Sequence, residues 1–162
     1  TEGSKIEGCQ LILEIKPHRN EVRDKRIADM CVELVRTLGL EKKTEYISFS
    51  KVVCQRLHEI TPDSKVAYLN GELAPAQIKE MGLTGIDYNE KVFVKHPEWL
   101  QEAKQLGVEV NVWTVDGEEN LRHHVNLEGV DLITTNDPEI LKGILAEQEA
   151  AKQPASKKSK KK

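Results

Sequence analysis

Four times along this chain an amphipathic stretch ends at a glycine followed at once by an apolar residue: Gly39 in "LGLE", Gly82 in "MGLT", Gly107 in "LGVE" and Gly129 in "EGVD". Glycine just past a helix is the common left-handed stop, because it takes a positive φ without the Cβ clash other residues suffer. Within a few residues of each stop a short β-rich run begins. The predicted strands are "LILEIK" (11–16), "EYISF" (45–49), "KVAYL" (65–69), "TGIDY" (84–88), "VEVNVWTV" (108–115) and "DLITT" (131–135), each followed by a helix candidate.

Alternating strand and helix imply parallel strands joined by helical crossovers, in an open doubly wound sheet or a closed barrel. The polar residues near strand C-terminal ends separate the two. Glu14 and Lys16, Ser48, Asn70, Asp87, Asn111, and Thr134 with Asn136 are spread over all six runs. An open sheet concentrates its site at one switch point, whereas a barrel draws it from the ends of many strands. The expected fold is therefore α/β, a (β/α) barrel of the TIM type. A complete one has eight strands in about 250 residues, so about six βα units make this one incomplete.

Local signals place the helices. Ile27, Cys31, Leu34, Val35 and Leu38 have the spacing of one helical face. Pro97 suits a first helical turn before "EWLQEAKQL". Asp116 with Glu119, and Asn136 with Glu139, have the spacing of capping boxes. "APAQIKEM" gives only two turns.

Charge is unevenly distributed. The net charge is −3, yet "KQPASKKSKKK" at 152–162 holds six Lys and no acid, which leaves the rest of the chain at −9. An acidic body excludes the basic face of a nucleic-acid-binding domain. Residues 148–162 read as a Lys-rich disordered tail and 1–147 as the folded domain. No run approaches the roughly 18 apolar residues of a membrane helix. The chain begins with Thr and shows no signal peptide, which leaves its compartment open. Cys9, Cys31 and Cys54 lack the spacing of a zinc site and read as small apolar residues. No Gly-rich phosphate loop is present.

The run "LILEIK" carries Glu14 and Lys16 inside an apolar strand. Side chains alternate along a strand, so Leu11, Leu13 and Ile15 belong under the helices while Ile12, Glu14 and Lys16 face the barrel axis. Burying an unpaired charge is costly. Two readings account for the pair: an internal Glu–Lys ion pair, or a carboxylate for a hard metal beside a cation for a substrate phosphate.

"LILEIKPH", "YISFS", "KVAYLNG", "LTGIDYN", "HPEWLQEAKQLGVEVNVWTVD" and "DLITTNDPE", in order from about residue 6 to 147, together resemble the glycerophosphodiester phosphodiesterase family of barrel hydrolases. The resemblance implies that Glu14 ligates a divalent cation, calcium or magnesium, and that Lys16 contacts the phosphate. Trp113 would line the substrate's entrance, with core packing as an equal alternative. The family's His-Arg, Glu-x-Asp and His-Asp segments lie upstream of the Glu-x-Lys strand, and only ten residues precede "LILEIK" here. The catalytic histidine pair is thus not expected in this chain: His18 reads as a loop residue, His58 and His96 as helix-end residues, and His123 and His124 as helix neighbours that cannot both face one site.

The implied activity is metal-dependent hydrolysis of a glycerophosphodiester, a small-molecule substrate, to glycerol 3-phosphate and an alcohol. As a truncated chain this protein is expected to lack that activity. The alternative is a non-catalytic, degenerate barrel that self-associates, or pairs with another chain, through its open sheet edges.

Overall fold

The protein is seen in a computed structural model that describes residues 5–18 and 20–152. Strands β1 (Leu11–Glu14), β2 (Thr44–Ser48), β3 (Val66–Tyr68), β4 (Gly85–Asn89), β5 (Glu109–Trp113) and β6 (Leu132–Ile133) form one parallel sheet whose spatial order is their chain order. The crossovers are α1 (Glu21–Thr37), α2 (Lys51–Ile60), α3 (Pro75–Glu80), the pair α4 (Glu90–Lys95) and α5 (Glu98–Leu106), and α6 (Glu118–Val125), with α7 (Pro138–Lys152) after β6. A doubly wound sheet reverses its strand order at a switch point. This sheet never reverses; it curls as part of a barrel wall, the expected incomplete (β/α) barrel of six units.

Alternation decides what each face does. Ile15, Tyr46, Ser48, Val66, Tyr68, Ile86, Tyr88, Val110 and Val112 point under the helices, none more than 2% exposed. Burial of each aliphatic side chain there contributes about 1.5–3 kcal/mol. Among the described residues no helix covers the opposite face: Ile12 is 52% exposed, and Glu14 and Lys16 are exposed. The faces of β1 are those read from its sequence. The core therefore lies between sheet and helices, where the Tyr88 hydroxyl donates to the Leu73 carbonyl at 2.9 Å and its ring meets Trp99 at 6.3 Å.

All four punctuating glycines take positive φ, from +65° to +95°. Gly107 caps α5 directly, while Gly129 lies beyond the end of α6, against α5. A Cβ there would stand 2.9 Å from the Leu100 carbonyl oxygen.

Three local expectations are corrected. The buried face of α1 is Asp24, Ala28, Val32 and Val35, whereas Leu34 and Leu38 are 58% and 59% exposed. The helix lies at the sheet margin and packs on α2, so its other flank has no neighbour among the described residues. Neither expected capping box forms. Helix α6 has Gly117 at its N-cap with no side-chain cap, and Asp116 instead accepts hydrogen bonds from the Asn136 backbone N–H and side-chain Nδ2, each at 2.8 Å. In return Asp137 accepts from the Gly117 N–H at 2.9 Å. The two loops hold each other because their ends lie on adjacent strands. Finally, α7 continues to Lys152, past residue 148 where the tail is expected to begin; residues 153–162 lie outside the described residues.

A polar lattice fixes the C-terminal end of β1. Ser48 Oγ donates to the Ile15 carbonyl at 2.6 Å and accepts from the Ser50 N–H at 3.1 Å. Asp24, only 4% exposed, accepts from the His18 N–H at 2.7 Å and from Ser50 Oγ at 2.8 Å. Ser50 also caps α2 by accepting from the Val53 N–H at 3.2 Å. Backbone on both sides of Lys16 is thereby pinned.

Two stability predictions follow from this packing. In urea unfolding Gly107→Ala, in open space, loses about 1–2 kcal/mol for its left-handed backbone, whereas Gly129→Ala loses clearly more because a backbone carbonyl must also move. Asp24→Ala, which leaves partly buried donors unmatched, loses about 1.5–3 kcal/mol; a loss under 0.5 kcal/mol would remove Asp24 from this role.

Candidate functional site

The C-terminal ends of the strands surround a cavity of about 340 Å³ on the helix-free face. Glu14 at the end of β1 and Lys16 just beyond it form one wall, Phe49 and Leu69 carry the lining across the ends of β2 and β3, and Asp87, Trp113 and Thr134 form the far wall. All three residues singled out from the sequence, Glu14, Lys16 and Trp113, therefore meet in one place. Among the described residues no ion pair joins Glu14 to Lys16. The internal ion pair is not formed, and both charged groups are open to the cavity.

Trp113 is half-buried and does two things. Its ring lies edge-on to Phe49 with centroids 6.0 Å apart, while its Nε1 donates to the Asp87 carbonyl at 2.7 Å. It lines the cavity and fixes β4 to β5. The packing role belongs to the other tryptophan, Trp99, which is 9% exposed in the core.

Asp87 was not among the candidates. It is 3% exposed, and its Oδ1 has no hydrogen-bond partner among the described residues. Desolvation pushes its carboxyl up to about 6; the Asn111 amide beside it pulls the other way, and the negative charge of Glu14 adds to the rise. Asn111 Nδ2 in turn donates to Thr134 Oγ1 at 3.1 Å, so a polar row crosses β4, β5 and the end of β6. The sequence signal was an Asp placed between the outward residues Ile86 and Tyr88, which puts it on the inward face by alternation.

None of the five histidines lines the cavity. His18 is exposed in the loop after β1, His58 lies against Gly82, His96 stacks on Trp99 at 4.2 Å, and His123 and His124 sit on α6. No group of three or more His, Cys, Asp or Glu close enough to hold a metal occurs among the described residues. Glu14 thus offers a hard cation one oxygen ligand facing open space rather than a full cage.

The folded-state pKa of Asp87 lies above its ordinary value of 3.8. Its stabilising effect is therefore complete below about pH 4 and lost as pH rises through about 6. Asp87→Asn should match the native chain in melting temperature near pH 4. It should gain progressively to pH 7, by on the order of 3 kcal/mol. A difference that is flat in pH would show that the carboxyl titrates normally.

The sequence profile of the Glycerophosphoryl diester phosphodiesterase family matches residues 7–140. Among solved structures, a glycerophosphodiester phosphodiesterase from Parabacteroides distasonis superposes with a TM-score of 0.86 at 41% identity, covering 90% of this chain and 60% of that one. A glycerophosphodiester phosphodiesterase from Agrobacterium tumefaciens gives 0.65 at 20% identity, over 88% of this chain and 59% of that one. An Oleispira antarctica phosphodiesterase in complex with the product sn-glycerol-3-phosphate gives 0.67 at 16% identity, over 85% and 55%. The last two show the shared fold alone. The chain spans less than two thirds of the length of each, and no curated protein matches it. With a profile match over most of its length and a cavity at the strand ends where that fold keeps its site, this chain belongs to the glycerophosphoryl diester phosphodiesterase family.

Proposed function

We propose that this protein carries the substrate-binding part of the family's reaction, hydrolysis of glycerophosphodiesters to glycerol 3-phosphate and an alcohol, its cavity binding the phosphodiester group with the help of calcium or magnesium. The observation that carries the reading is the joint presence of Glu14, Lys16 and Trp113 around one cavity in a chain of this family. The Lys16 ammonium attracts a phosphoryl oxygen. Glu14 would hold the cation, whose chemistry is to neutralise charge on the phosphoryl oxygens. Phe49 and Trp113 form an apolar rim that limits water around the bound ester.

Proton transfer to the leaving alcohol needs a general acid within about 3 Å or one water of it. Among the described residues no histidine lines the cavity. We therefore expect the 162-residue chain to bind the phosphate ester without turning it over.

Calorimetry with sn-glycerol 3-phosphate, with and without calcium, tests the reading. Lys16→Ala should weaken binding about tenfold or more, as loss of a charged hydrogen bond does. Glu14→Gln should abolish the gain that calcium gives. Hydrolysis of glycerophosphocholine by the native chain, lost in Glu14→Gln, would overturn the binding-only expectation; absence of calcium-linked binding would overturn the metal role.

The sheet margins favour a second reading, a non-catalytic domain that self-associates. β1 and β6 are unpaired on their outer sides among the described residues, and Ile12 and Leu132 there are 52% and 43% exposed. Light scattering distinguishes this reading by a defined dimer mass in place of a monomer.

A further inference from the structure

A carboxylate oxygen buried without a partner is rare in a folded protein and calls for a reason. Asp87 Oδ1 is such an atom, in the wall of the cavity that also exposes Glu14 and Lys16. Its own sheet does not need it: the β4–β5 register runs through the backbone of Asp87 and Asn111 and is fastened by Trp113 Nε1 on the Asp87 carbonyl. Beyond the Asn111 amide beside the carboxyl nothing in the sheet engages this side chain, and its buried Oδ1 is left for a group that enters the cavity.

The chemistry of that visitor is constrained. Lys16, just past the end of β1, is the cation of this wall-to-wall space, so a phosphate settles on the β1 side, away from the carboxyl on β4. The part of the ligand that reaches Asp87 must offer a hydrogen-bond donor and no negative charge. A hydroxyl meets that need in both protonation states, since it donates to a carboxylate and accepts from a carboxylic acid. An ammonium would suit only the charged state. Within a glycerophosphodiester, the half common to every member of the class is glycerol, with hydroxyls at a fixed reach from the phosphorus.

We propose that Asp87 is a specificity-determining residue that accepts a hydrogen bond from a glycerol hydroxyl of the substrate while Lys16 holds its phosphate. This rests on the phosphodiester reading of the cavity. A site that hydrogen-bonds a hydroxyl rejects the analogue lacking it, because the buried acceptor is then left unmatched.

The test is calorimetry with calcium present, comparing sn-glycerol 3-phosphate with propyl phosphate, which has the same carbon count and no hydroxyls, and with phosphoethanolamine. The native chain should bind glycerol 3-phosphate roughly 10- to 100-fold more tightly than propyl phosphate, the ratio expected for one hydrogen bond to a charged group. Asp87→Ala should bring the two together by weakening glycerol 3-phosphate alone, and Asp87→Asn, which keeps an acceptor oxygen, should restore part of the ratio. Circular dichroism melting shows that both variants fold. Equal affinity for the two esters in the native chain, as when a water alone satisfies Asp87, overturns the proposal. So does Asp87→Ala weakening both esters equally, the mark of a structural role, or weakening phosphoethanolamine instead. If neither ester binds the native chain, the phosphate reading itself fails and this proposal falls with it, whereas loss of both only in Lys16→Ala leaves that reading intact.

Discussion

A parallel sheet covered by helices on one side only has to solvate or close its other face. That constraint governs this molecule. The covered face is apolar and nearly sealed, and three tyrosines, Tyr46, Tyr68 and Tyr88, fill the thick layer between strands and helices. The uncovered face carries charge at both ends, and the two ends are treated differently. At the N-terminal floor Lys65 bridges Glu109 at 2.6 Å and Glu45 at 3.4 Å, a set of pairs that satisfies its own members. At the C-terminal mouth Glu14 and Lys16 are left open to the cavity, and the buried Asp87 Oδ1 in its wall has no partner among the described residues. In barrels the floor serves stability and the mouth serves chemistry, and here the division can be seen in which charges are matched.

Leaving groups unmatched requires rigidity around them, since a flexible wall would fold back to neutralise them. Two devices supply it. Asp24 ties the loop after β1 to the start of α2, with Ser48 and Ser50 as intermediates, so the backbone around Lys16 is held from both sides. Between the loops after β5 and β6, Asp116 accepts from Asn136 and Asp137 accepts from the Gly117 N–H, and the Asn136 bonds keep the Asp116 carboxyl below its usual range. None of these three aspartates lines the cavity. Each spends its charge on backbone N–H groups, which is why the loops at the mouth can be short without having helices packed over them.

The parts of this arrangement that were legible in the sequence are those set by local rules. Alternation of strand and helix, the glycine stops at Gly39, Gly82 and Gly107, and the inward phase of Ile12, Glu14 and Lys16 depend only on backbone sterics and the period of two. What was missed depends on neighbours distant in the chain. Asp116 and Asn136 have the spacing of helix caps, but each finds a better partner in the other, twenty residues away, because β5 and β6 are adjacent. Asp87 looks like any polar residue at a strand end; that it shares a cavity wall with Trp113, Leu69 and Phe49 and keeps an unpartnered oxygen depends on other strands, which no local pattern encodes.

The α1 reading failed in a way that carries information. Ile27, Cys31, Leu34 and Leu38 do form an apolar flank, as the periodicity says, yet only Ile27 and Cys31 pack against the core while Leu34 and Leu38 stay exposed. Exposed apolar residues recur at the other margin, in Leu132 of β6 and in Ile140 and Leu145 of α7, at 40–44%. Single exposed apolar residues are ordinary on protein surfaces. Here they gather at the two margins where a strand and helix would next be added, and the sheet edges beside them are unpaired among the described residues. The hydrophobic pattern of α1 is thus the pattern of a helix with neighbours on both flanks, of which the described residues provide one, and the relatives that share this fold are longer than this chain by enough to supply more.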